Sequence, residues 1–70
     1  MTTVYLVVQQ GVHRHDIRGV YTTREKAETA AIRSAREDKD DYHEWIVCET
    51  GLDTYTEDVL EITSYQKGKL

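Results

Sequence analysis

The chain has no proline and no phenylalanine, and only one cysteine and one tryptophan in 70 residues. Without phenylalanine, the core must be assembled from Val, Leu, Ile, Ala and Tyr. A lone cysteine, Cys48, closes no internal disulfide. Chains this short bury only about 60% of the surface that their unfolded form exposes. Scaffolds of this size commonly add a disulfide, a metal or a second copy of themselves. With no disulfide and no standard metal motif, a homodimer is the expectation.

Other absences narrow the function. No apolar run approaches the length of a membrane span. Met1-Thr2-Thr3 leads straight into a strand pattern, without the basic and apolar regions of a signal peptide. A cytoplasmic location with Cys48 reduced is therefore expected, and no membrane partner. The net charge is -4. Arg14, Arg18, Arg24, Lys26, Arg33, Arg36 and Lys39 are scattered among acids rather than gathered in a stripe, which disfavours direct nucleic-acid binding. There is no nucleophile elbow, phosphate-binding glycine loop or zinc-protease motif. No catalytic residue and no cofactor are expected. Repeats, low-complexity tracts and linkers are also missing, so residues 1–66 read as one domain, with 67–70 as a frayed tail.

What is present is a strand feeding a helix. Thr3 to Gln9 alternates, with Val4, Leu6 and Val8 on one face and Tyr5 and Val7 on the other. Gln10 to Asp16 is a polar connection, and Ile17 to Thr22 a second strand, in which Gly19 admits close approach of another group. Thr22 followed three residues later by Glu25 reads as a capping box. Thr23, Ala27, Ala30, Ala31, Ser34 and Ala35 then recur at helical spacing as a narrow face of small residues. The charged run from Glu37 to Asp41 ends the helix. His43 to Thr50 is a third strand, with Trp45 and Val47 facing one way and Ile46 and Cys48 the other. Gly51 to Thr54 reads as a turn and Val59 to Tyr65 as a fourth strand. The expected fold is α+β: two layers in the order β-β-α-β(-β), a mainly antiparallel sheet with one helix on one face. The uncovered face, expected to carry Tyr5 and Val7, would need a partner.

The pattern Val4-Tyr5-Leu6-Val7, then Gly19-Val20-Tyr21-Thr22-Thr23 leading to Ala27-Glu28 and Ala30, then Glu49 with Leu52-Asp53, resembles a group of small uncharacterised proteins. These are common in bacteriophage genomes and also occur in bacteria. The resemblance covers about residues 3 to 53 and rests on capping and packing positions. It implies a fold and a phage or mobile-element source, and it brings no catalytic residue with it.

Three clusters offer chemistry. His13 and His15 flank Arg14 beside Asp16, and with His43 or Cys48 they could hold zinc or another transition metal. The spacing matches no standard site, and solvated hairpin histidines are the plainer reading. Cys48 and His43 lie five apart on one strand, face opposite sides and cannot act together; Cys48 reads as a core residue. Glu37, Asp38, Asp40, Asp41 and Glu44 form the densest acidic patch, which Glu57, Asp58 and Glu61 would extend. Such a patch could mimic nucleic-acid phosphates, although a solvated loop explains it as well. Tyr5, Tyr21, Tyr42, Trp45, Tyr55 and Tyr65 suit a core and a protein interface better than base stacking on an acidic chain.

The reading that results is a small non-enzymatic cytoplasmic interaction protein, phage-encoded, that binds and modulates a host protein. Its partner surface is expected around Tyr5 and Val7 or on the acidic run. The alternatives are an acidic DNA-mimic inhibitor and a small-ligand or metal-binding module at a dimer cleft.

Overall fold

The computed structural model describes residues 3–52 and 59–70. Strand β1 spans Thr3–Gln10, β2 His15–Tyr21, helix α1 Arg24–Glu37, β3 Glu44–Gly51 and β4 Leu60–Gln66. The fold is α+β. The four strands form one sheet in the order β2-β1-β3-β4, and every neighbouring pair is antiparallel. Because β2 and β3 both run opposite to β1, they run parallel to each other. The chain between them must cross from one side of β1 to the other, and α1 makes that crossing. The helix therefore packs on one face of the sheet.

The side chains under the helix follow from the register. Val7 lies opposite Val47 on β3 and Gly19 on β2, and Trp45 lies opposite Gln9 and Tyr65. Val7, Trp45 and Val47 pack with Ala27, Ala31 and Ala35 as the buried core, flanked by Tyr5, Tyr21, Ala30 and Tyr65. Of the small-residue face expected from helical spacing, Ala27, Ala31 and Ala35 are buried, Ala30 and Ser34 are half-buried at its margin, and Thr23 is the exposed cap. Small side chains let α1 lie close to the sheet, so Val7 and Val47 are fully covered. Each such valine contributes about 1.5–3 kcal/mol by leaving water.

This register corrects the expected partner face. Tyr5 and Val7 point toward the helix, and Val7 is 1% exposed. The reason is the alternation of β1 read against β3: Tyr5 and Val7 share a face with Val47 and Trp45, and it is that face on which the alanines close. The face opposite α1, helix-free among the described residues, carries the alternate set: half-buried Val4, Leu6 and Val8 on β1, and buried Ile46 and Cys48 on β3. Ile17 and Val20 on β2, paired with Val8 and Leu6, join them.

The junction between β2 and α1 differs by one residue from the expectation. Thr23, not Thr22, is the N-cap; its Oγ1 accepts the Lys26 N–H at 3.3 Å. Tyr21 still pairs with Tyr5, so Thr22 is used to leave the sheet before the cap is set. With Thr23 as cap, the reciprocal position three residues on is Lys26, which cannot accept, and no capping box forms. Gly19 meets its expectation: the Tyr21 ring lies over it, and a Cβ there would sit 2.6 Å from Tyr21 Cε2. An aromatic thus covers a glycine on an edge strand.

After β4 the chain makes a short 3₁₀ turn, Lys67–Lys69, and Lys67 Nζ donates to the Asp38 carbonyl at 2.6 Å. The expected turn residues Asp53 and Thr54 lie outside the described residues, as do Tyr55, Glu57 and Asp58. No helix among the described residues is long and apolar enough to cross a membrane.

Candidate functional site

The densest polar arrangement gathers where α1 ends over β1 and β3. Asp38 caps the helix, its backbone N–H reaching the Ala35 carbonyl, and its side chain turns inward rather than to solvent. Asp38 Oδ2 accepts from Trp45 Nε1 at 2.8 Å and from His43 Nδ1 at 2.9 Å. Oδ1 accepts the Asp40 backbone N–H at 3.0 Å. Gln9 Nε2 lies 3.4 Å from Oδ2, and Gln9 Oε1 accepts from Arg18 Nε at 2.9 Å. Gln9 Nε2 also lies 3.1 Å from His43 Nδ1. Because the Asp38 carboxylate only accepts, the 2.9 Å bond puts the His43 proton on Nδ1, and Gln9 Nε2 then donates to Asp38 rather than to His43. Burial raises the pKa of Asp38, but hydrogen bonds from Asp40, Trp45 and His43 outweigh it and hold the carboxyl below its usual value.

This cluster ties three strands to the helix end. As a metal site it is poorly placed. One ligand atom each from Asp38, Asp40 and His43 lie within 4.8 Å of one another. Both Asp38 oxygens, however, already accept protein hydrogens, and a cation would have to displace the indole N–H and the His43 proton.

An open pocket of about 360 Å³ lies beside the cluster, at the β1–β2 hairpin, lined in part by Gln9, His13, Arg14, Arg18, Tyr42 and His43. It brings His13 and His43 to one cavity. His15 does not join them: it pairs with Gln10, on the helix-free side of the sheet. Cys48 lies on that side too, and its thiol pKa is pushed up by burial and by the Glu61 carboxylate opposite it. The residues considered for a metal are therefore divided between two faces.

The acidic run is divided as well. Asp38 is turned inward, and its side chain is 8% exposed. Glu37 pairs with Arg33 at 3.4 Å. Glu44 pairs with Gln10 and Gln66 on the helix-free side. Asp40 and Asp41 remain exposed.

The helix-free face is the other candidate. Ile17 and Val20 on β2 are 64% and 61% exposed, beside half-buried Val4, Leu6 and Val8. β2 is an edge strand, so its outer side is also unpaired among the described residues. Sequence reasoning located an apolar sheet face in need of cover but chose the wrong parity, and it missed the Asp38 cluster. A signal for that cluster existed: a single Trp in a core needs an acceptor for its N–H, and Asp38 is the first acid after the helix.

The chain belongs to the DUF7336 family, a domain of unknown function, which matches residues 2–65. No curated protein and no solved structure matches it.

Proposed function

We propose that this chain is a non-enzymatic interaction protein that works through the helix-free face of its sheet. The observation that carries this reading is the exposure of Ile17 and Val20 next to half-buried Val4, Leu6 and Val8, on the face opposite α1, with no helix over them among the described residues. Contiguous apolar side chains on one side of a small domain suit a protein partner that offers an apolar patch of its own. The resemblance to small phage proteins makes a host protein, met in the host cytoplasm and modulated by binding, the partner of choice. The DNA-mimic alternative has less support, because Asp38, Glu37 and Glu44 do not share one exposed surface.

The test compares charge variants in capture from host cells. A partner retained by the wild type and by an Asp40→Lys/Asp41→Lys variant, but lost from Val20→Lys, supports the helix-free face. A partner lost from the double variant and kept by Val20→Lys transfers the function to the acidic loop and ends this reading.

A further inference from the structure

We propose that the outer edge of β2 pairs with the same edge of a second copy, joining two sheets into one of eight strands. This deepens the reading above by naming a partner at the edge of the same surface. β2 ends the sheet on one side, and an edge strand presents unpaired N–H and C=O groups that an antiparallel strand satisfies.

The sequence of β2 is self-complementary about Ile17. A two-fold axis at Ile17 sets it against its own copy and sets Asp16 against Arg18 of the second chain, twice. Asp16 pairs with Gln9 across the sheet, and Arg18 donates to Gln9, so both side chains occupy the helix side. Ile17, at 64% exposure, occupies the other side and is covered by its counterpart. The existing charge contacts leave room for new ones: Arg14 and Arg18 approach the one Asp16 carboxylate at 3.5 and 3.8 Å. One carboxylate facing two guanidinium groups leaves unmatched donors on both. The ladder of β2 with β1 shifts between Val7 and Val8, and Arg18 is the extra residue. Such a bulge bends its strand; the axis at Ile17 places the two bulges symmetrically on either side of it, each facing Asp16 of the other copy. The joined sheet would make the helix-free face continuous across two copies, doubling the surface offered to a third protein.

Sedimentation of the wild type should give twice the mass of one chain at micromolar concentration. Asp16→Arg and Arg18→Asp should each weaken self-association by about tenfold or more, since each sets like charges opposite one another. An equimolar mixture of the two variants should restore the dimer, because every pair then has opposite signs. Both positions are solvent-accessible, and circular dichroism of each variant checks that the fold is kept. A wild type that stays monomeric, or single variants that dimerise as the wild type does, overturns the proposal. If one variant does not fold, the other and the wild type still decide it. Failure of the edge pairing with Val20→Lys still losing its host partner removes only this inference; a restored mixed dimer with Val20→Lys binding its partner normally removes only the reading of the helix-free face.

Discussion

Trp45 Nε1 donates to Asp38 Oδ2 across 2.8 Å, and this bond joins the end of α1 to the inner strand β3. Trp45 is 7% exposed, so its N–H has little access to water. Asp38→Ala should therefore destabilise the domain by about 1–3 kcal/mol, the cost of leaving a buried donor unpaired. Trp45→Phe removes the donor as well as part of the packing. In a double-mutant cycle by denaturant melts, the combined loss should fall short of the sum by about 0.5–3 kcal/mol. Additive losses would mean that the bond does not hold the helix end.

The same carboxylate makes stability depend on acid. The folded-state pKa of Asp38 lies below its ordinary value of 3.8. A depressed carboxylate stabilises the fold fully above the unfolded pKa, and the contribution is lost as pH falls through the folded value. The midpoint of denaturant unfolding should thus decline as pH falls from about 4. Asp38→Asn should start less stable and decline less steeply over that range. An unchanged slope in the variant would assign the acid sensitivity to other carboxylates.

Much of this architecture was legible from local patterns. Alternation identified the strands, and the spacing of Ala27, Ala31 and Ala35 identified the buried helix face, because both depend on near neighbours in the chain. Which parity of β1 the helix would cover was not legible. Val4, Leu6 and Val8 are as apolar as Tyr5 and Val7, and the choice rests on the register with β3 and on the side taken by the crossing helix. The Asp38 cluster depends on contacts between residues 9, 38, 43 and 45, and no local pattern joins β1 to the helix end. In sequence, Asp38 is one acid among several; in the fold it is the one aimed at Trp45.

The cap provides a sharp test of the junction. Thr23→Ala should cost about 1 kcal/mol, because it removes the acceptor for the Lys26 N–H. Thr22→Ala should be within about 0.5 kcal/mol of neutral, since Thr22 is exposed and outside the cap. Thermal or denaturant melts of the two variants distinguish the positions directly. A larger loss at Thr22 would move the start of α1 by one residue.

The helix stripe should resist enlargement at one position more than at its neighbour. Ala31 has no exposed surface and lies in the core with Val7 and Val47, whereas Ala30 is only half-buried at its margin. Ala31→Leu must push α1 away from the sheet or force Val47 from its rotamer, and it should destabilise by about 1–3 kcal/mol. Ala30→Leu has room beside the groove that Tyr21, Ala30 and Ser34 line, and it should cost less. Lifting the helix would also lengthen the Trp45–Asp38 bond at its end, so Ala31→Leu should lose part of the acid dependence attributed to Asp38. Denaturant melts at neutral and acid pH measure both effects. Equal losses at positions 30 and 31 would show that the helix is free to roll on the sheet, and that the alanines do not set its distance.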